Sequence, residues 1–453
     1  MNRRNFLQLL PGLAAAPAAA QTMPNIVVIL CDDLGYGDVG VYGSSIRTPN
    51  LDRMASEGMR FTQFTSANPV CSPSRASWLT GRYPTRVGVP KVLFPTDEKG
   101  LPDSEQTIAQ ALKTKGYKTM CVGKWHLGHK PAYLPMRRGF DEYFGIPYSN
   151  DMNPPVLLHN EDVVEQRATL DTLTQRYTER AVKFMENSKG APFFLYMPHT
   201  MPHIPIAASK RFRGKSPQGL YGDVIEEIDW SVGEVLGTIK RLGLDRNTLV
   251  LFSSDNGPWF QGSPGRLRGR KGMTWEGGVR VPFIARMPGK IPAGKVCDAI
   301  ASPMDVLPTV AKLCGITPKN ALDGIDIWPL LSGQKKDVER DLLIYFDDVN
   351  AQCARMGRWK IHYSRYNNVT YSPAPAGGRV NLLLQTPELY DLSKDVDESY
   401  DVAPEHPEIV KQMTARLEQI LQGFPEDIRS AWAQTKQKKN AESRIGTVSR
   451  QAQ

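Results

Sequence analysis

The apolar residues of the chain gather into short unbroken runs, separated by stretches with helical spacing. Residues 25–30 read Asn-Ile-Val-Val-Ile-Leu, the pattern of a strand covered on both faces. Runs at 117–122, 192–197, 248–253 and 281–285 resemble it and are rich in β-branched and aromatic residues. Between them, residues 105–115, 171–187 and 223–242 place apolar side chains three and four apart and predict helices. This alternation, from Pro24 to about Gly333, predicts an α/β fold: a large, mostly parallel (mixed) sheet flanked by helices. In such sheets ligands collect outside the carboxyl ends of the strands. Polar clusters stand at four of those ends: Asp32-Asp33, then Lys124 and His126, then His199 and His203, and finally Asp255-Asn256.

Beyond Gly333 the runs shorten. Residues 342–346, 359–363 and 388–392 predict three strands, and 407–422 predicts a closing helix. The expected unit is a small antiparallel C-terminal subdomain over 334–430, with a Pro/Gly/Ala loop at 372–378. Residues 431–453 are polar and basic and are expected to be a disordered tail.

At the other end, Arg3-Arg4-Asn5-Phe6-Leu7 precedes a modest apolar run that finishes in Ala18-Ala19-Ala20. Residues 1–20 therefore predict a twin-arginine signal peptide, and 21–333 the main α/β domain, delivered to the periplasm or outside the cell. The apolar run is too short to stay as a membrane span.

Composition excludes several classes. At 453 residues and 41% hydrophobic content the chain is neither a polytopic membrane protein nor wholly disordered. A formal charge of +9 invites a nucleic-acid reading. Much of that excess sits at the ends, however: Arg3 and Arg4 in the leader, and Lys436, Lys438, Lys439, Arg444 and Arg450 against Glu442 in the tail. The body is nearly balanced, and no nucleic-acid partner is expected. The six cysteines show no paired spacing, so neither a zinc pattern nor a disulfide framework emerges.

The chemistry begins with carboxylates. Asp32-Asp33 and Asp255-Asn256, brought to neighbouring strand ends, supply three carboxylates and an amide oxygen, an all-oxygen set suited to Ca²⁺ or Mg²⁺. A solvated turn is the alternative for either pair alone. The most informative segment is Cys71-Ser72-Pro73-Ser74-Arg75, followed by Thr80-Gly81. It resembles the signature of type I sulfatases, the formylglycine-dependent arylsulfatase family of the alkaline phosphatase superfamily. The resemblance extends in order through Gly123-Lys124-Trp125-His126, Gly145-Ile146-Pro147-Tyr148-Ser149, Pro202-His203-Ile204-Pro205, Asp255-Asn256-Gly257, and Gly269-Arg270-Lys271-Gly272 with Trp275-Glu276-Gly277-Gly278, to Leu389-Tyr390-Asp391-Leu392.

What the resemblance implies is specific. The fold is alkaline-phosphatase-like, and the activity is hydrolysis of sulfate esters, on sulfated carbohydrates or aryl sulfates. Cys71 is oxidised to Cα-formylglycine by a formylglycine-generating maturase. One hydroxyl of the aldehyde hydrate attacks sulfur; the second lets the carbon collapse back to aldehyde, expelling sulfate where a serine ester would stall. Asp32, Asp33, Asp255 and Asn256, with the modified Cys71, match the ligands of a divalent cation, usually Ca²⁺. Arg75 and Lys124 match residues that hold the hydrate, and Lys271 the lysine on a sulfate oxygen. His126 removes the proton from the second hydroxyl, His203 protonates the leaving oxygen with Lys271 as a helper, and Ser149 lines the sulfate site. His199 fits less well, a candidate for satisfying a backbone group. Loops at 82–101, 151–162 and 259–270, carrying Arg86, Lys91, Trp259, Arg266 and Arg268, are candidates to line a sugar site. Two other readings stand beside this one: a formylglycine-dependent phosphodiesterase or phosphonate monoester hydrolase, and a non-catalytic protein that binds sulfated glycans.

Overall fold

The computed structural model describes residues 23–437 except 189 and 367–380. The leader, the 372–378 loop and residues 438–453 lie outside the described residues. The core is one ten-stranded mixed sheet. Its strands are β1 (Asn25–Cys31), β2 (Met59–Phe61), β3 (Lys118–Val122), β4 (Glu142–Gly145), β5 (Leu157–His159), β6 (Asp162–Glu165), β7 (Phe193–Pro198), β8 (Thr248–Ser254), β9 (Phe283–Arg286) and β10 (Lys295–Cys297). They are ordered β10-β2-β9-β8-β1-β7-β3-β4-β5-β6. The central strands β8, β1, β7, β3 and β4 run parallel, whereas β9 and β5 reverse direction at the flanks. β1 is buried at every position, as its unbroken apolar run requires.

Helices cover both faces, and their apolar stripes build two cores. Tyr177, Ala181, Val224, Ile228 and Val232 pack on one face. Trp78, Leu79, Leu112, Leu307 and Val310 pack on the other. The predicted helices appear as Ile108–Lys113, Leu173–Asn187 and Gly219–Arg241. Among the described residues no helix is long and apolar enough to cross a membrane. All six cysteines are buried and unpaired.

The C-terminal subdomain has four antiparallel strands in sequential order, where the sequence predicts three: β11 (Leu343–Asp347), β12 (Asn350–Met356), β13 (Trp359–Tyr366) and β14 (Asn381–Asp391). The additional strand, β12, carries Gln352 and Arg355, both buried, so its polar residues hide it from a hydrophobic pattern. The helix Pro407–Leu421 seals this sheet through Met413 and Leu417. The expected tail begins too early. Residues 431–437 continue a helix, and Trp432 packs into the same core, its ring against that of Tyr363.

Candidate active site

Because β1 lies between β7 and β8, the connections leave its two sides in opposite directions, and a crevice opens at the carboxyl ends of these strands. Asp32 and Asp33 follow β1, Asp255 and Asn256 follow β8, and His203 lies in the segment after β7. Lys124 and His126 follow β3, and Ser149 follows β4. The strand ends meet closely: a Cβ on Gly123 would lie 1.9 Å from the Pro198 carbonyl oxygen, and φ is +130° there, so glycine alone fits. Asp33 and His126 adopt left-handed backbone angles, φ +68° and +60°. Such strain in non-glycine residues concentrates at functional sites.

Cys71 opens the helix Cys71–Thr80, whose ten residues are all buried. The helix is seated on β8's end: Ser66 and Ser74 hydroxyls both donate to the Asp255 carbonyl, at 2.6 and 2.5 Å. Cys71 Sγ lies 3.6 Å from Asp32 Oδ1, and burial pushes its thiol up to about 12 despite Lys124 and Lys271 nearby. As a thiol it is a poor nucleophile at neutral pH.

One turn along, Arg75 is fully buried and donates through Nε and Nη2 to Asp255 Oδ2, at 3.0 and 2.8 Å, and through Nη1 to the Lys124 carbonyl. Lys124 Nζ reaches Asp32 Oδ2 at 2.6 Å and Ser149 Oγ at 2.9 Å. Lys271, on the loop before the short helix Glu276–Val279, reaches Asp33 Oδ2 at 2.7 Å. Three cations thus face three carboxylates inside the protein, an arrangement that is costly unless it serves something else.

The protonation pattern is uneven. Burial resists ionisation of Asp32, but Lys124, His203, Arg75 and Lys271 together hold it well below the carboxylate range. Burial pushes Asp255 up to about 6, aided by the charges of Asp32 and Asp33 and opposed by Arg75. Burial also works against the Lys271 ammonium, yet Asp33 holds its pKa above the ordinary lysine value. Lys271 is therefore a fixed charge and a poor proton donor.

The two histidines have defined roles for their ring nitrogens. His126 Nε2 donates to the Leu93 carbonyl at 2.9 Å, leaving Nδ1 as a buried acceptor with no protein partner. Burial and the charges of Lys124 and Arg75 hold it well below the usual histidine value, so it stands as a neutral base. His203 Nδ1 donates to the Ile204 carbonyl at 2.6 Å and turns Nε2 toward Ser149 Oγ at 3.2 Å and Asp33 Oδ2 at 3.6 Å. Burial and Lys271 lower its pKa while Asp33 and Asp32 pull upward.

A cation fits this pocket. Ligand atoms of Asp32, Asp33, Cys71 and His203 all lie within 4.8 Å of one another. Asn256 donates its amide N–H to Asp33 Oδ1 at 2.8 Å, yet its Oδ1 is buried with no protein partner. An orphaned amide oxygen beside crowded carboxylates is a hard-cation donor set.

His199 stands apart. Neither ring nitrogen has a protein partner, so it does not satisfy a backbone group through its side chain, and burial pushes it down to about 4. Two of the basic loop residues are also committed elsewhere: Arg86 pairs with Asp323 and lies over Phe424, and Arg268 stacks on Trp275. Sequence patterns overlooked Asn150, next to Ser149, whose amide donates to the Thr200 and His203 carbonyls and fixes that segment.

A family model described as "Sulfatase" matches residues 24–316, and a second, described as "N-sulphoglucosamine sulphohydrolase, C-terminal", matches 270–423. Human arylsulfatase A is 41% identical over 452 residues, covering 89% of each chain. The chain is a sulfatase of the alkaline phosphatase superfamily. This sulfatase is also 39% identical to mouse N-acetylgalactosamine-6-sulfatase, covering 81% of its own length and 76% of the relative's. A solved structure from work on glycosaminoglycan metabolism by Bacteroides thetaiotaomicron superposes with a TM-score of 0.79 at 29% identity, covering 88% of this chain and 99% of that one. The reaction class follows: a sulfuric ester hydrolase, with the formylglycine and divalent metal that the sulfatase family implies.

Proposed function

We propose that this sulfatase removes sulfate from sulfated carbohydrates outside the cytoplasm, using formylglycine made from Cys71 by a maturase and a calcium ion. The observation that carries the reading is the meeting of Cys71 with Asp32, Asp33 and His203, beside the orphaned Asn256 oxygen, at one set of strand ends. Formylglycine supplies a hydrate with two hydroxyls, one to attack sulfur and one to release the sulfate. Asp32, Asp33, Asp255 and Asn256 would hold the cation, which supplies Lewis-acid polarisation of a sulfate oxygen.

The remaining work belongs to the chain. Arg75, locked by Asp255, keeps positive charge against position 71. Lys124, on Asp32, and Lys271, on Asp33, bring two ammonium groups to the buried pocket and neutralise developing oxyanion charge. His126 Nδ1 accepts a proton where its only protein-held nitrogen is already used. His203 Nε2 donates to the leaving alcohol oxygen, and an anionic sulfate beside it raises its depressed pKa toward the protonated form. Ser149 bridges Lys124 and His203. The Arg3-Arg4 leader motif supports export in a folded state.

Two measurements test this. Turnover of paired aryl sulfate and aryl phosphodiester substrates is expected to favour the sulfate; a strong phosphodiester preference contradicts the assignment. A panel of sugars sulfated at defined positions is expected to contain a substrate better than the aryl sulfate, and an inert panel removes the carbohydrate reading.

A further inference from the structure

A second buried charge cluster lies behind the site, and none of the chemistry above uses it. Glu276 receives Lys360 on Oε1 at 2.9 Å and Arg280 on Oε2 at 2.5 Å. Glu398 receives Lys360 at 3.1 Å and His362 Nε2 at 2.8 Å. Glu276, Lys360, His362 and Glu398 are all fully buried.

Glu398 has a further pair of contacts. Its Oε2 accepts the Glu276 backbone N–H at 2.6 Å, and its carbonyl accepts Arg268 Nη1 at 2.7 Å. One residue of the C-terminal subdomain therefore grips both ends of the stretch Arg268 to Glu276, whose middle carries Lys271. The stretch has little freedom: Gly277 N–H donates to the Arg268 carbonyl at 2.6 Å, Trp275 lies between Arg268 and His362 with ring centroids of Trp275 and His362 4.5 Å apart, and a Cβ on Gly278 would sit 1.9 Å from the Met273 oxygen. Glu398 itself holds a left-handed φ of +53°. A strained, fully buried carboxylate is an expensive way to obtain stability alone. The family match over 270–423 takes in Lys271 and Glu276 together with the subdomain.

We propose that Glu398 is a positioning residue for Lys271: through the Arg268–Glu276 loop, the C-terminal subdomain sets where the ammonium meets the sulfate. This rests on the reading of Lys271 as the group on a sulfate oxygen. The test is a double-mutant cycle on kcat/KM for an aryl sulfate, in protein with its Cys71 conversion and bound-metal content measured. Glu398→Gln is expected to lower kcat/KM about tenfold or more in the otherwise unchanged enzyme, and by less than about twofold in a Lys271→Ala background. Arg268→Ala, at an exposed residue, loosens one end of the loop by removing its bond to the Glu398 carbonyl while leaving the buried Glu398 carboxylate and its ion pairs in place, and is expected to show the same non-additivity. Losses that simply add in both cycles overturn the proposal while leaving the role of Lys271 intact. A Lys271→Ala enzyme with undiminished kcat/KM overturns that role and the proposal together.

Discussion

The two buried charge clusters are built from similar parts, and one carboxylate, Asp255, sets them apart electrostatically. At the junction, burial resists ionisation of Glu276, but Arg280, Lys360 and Arg355 together hold it well below the carboxylate range, and Glu398 is lowered by Lys360 and His362 in the same way. At the strand ends Asp32 is likewise held down by its cations, but Asp255 moves the other way, up to about 6, because burial, aided by the charges of Asp32 and Asp33, outweighs Arg75. The strand-end cluster also leaves two acceptors, Asn256 Oδ1 and His126 Nδ1, with no protein partner. Unfilled acceptors are what a cation and a proton bind. Buried charge alone therefore does not distinguish chemistry from architecture, and neither does a lone orphaned acceptor, since His362 Nδ1 at the junction has no protein partner either; an unpartnered amide oxygen beside three adjacent carboxylates does.

The sharpest way to break this comparison is to delete the group that turns one cluster into a catalyst. Cys71→Ala is expected to remove essentially all sulfate-ester turnover, more than about 10⁴-fold, while the denaturation midpoint stays close to that of the parent protein. Deleting either proton-handling histidine comes next. His126→Ala and His203→Ala are each expected to cost about 10²- to 10⁴-fold in kcat, with only small changes in stability by urea unfolding. The junction is expected to respond in reverse. Lys360→Met removes the buried ammonium shared by Glu276 and Glu398 and is expected to lower stability by about 3–5 kcal/mol in urea, with Cys71 conversion unaffected in the protein that folds.

The smallest effect is in acid. Glu276 and Glu398 have depressed values in the fold, so their stabilisation is complete above the unfolded glutamate pKa of about 4.3 and is lost as pH falls through the lower folded values. Urea midpoints measured from pH 7 down to pH 3 are expected to decline from about pH 6.5, as buried neutral histidines such as His199 resist protonation in the fold, and to drop further below about pH 4.5, where the Lys360→Met protein is expected to show a shallower drop. A midpoint that rises on acidification would mean that the junction carboxylates are not stabilised as ions.

The sequence makes the strand-end cluster legible and leaves the junction hidden, for a physical reason. Asp32, Lys124, His203 and Asp255 each follow an unbroken apolar run, and the run announces where the strand stops. Lys360 and Arg355 lie inside strands of a small sheet, where charged residues read as a solvated face, and Glu398 sits in a turn of aspartates and serine. Only the packing of the sheet against the Lys271 loop turns them inward. The same limit hid β12, whose polar residues are buried, and placed the start of the tail before Trp432, a single aromatic too sparse to signal a helix. The left-handed backbone of Asp33 and His126 carries no sequence signal at all.

The account stands or falls on Cys71 as the source of the nucleophile. The direct measurement is kcat for an aryl sulfate across preparations in which peptide mass spectrometry gives different fractions of Cys71 converted to the aldehyde or its hydrate. The rate per enzyme is expected to rise in proportion to the converted fraction and to extrapolate to zero for the unconverted thiol. Full turnover by protein in which every Cys71 is still a thiol would contradict it.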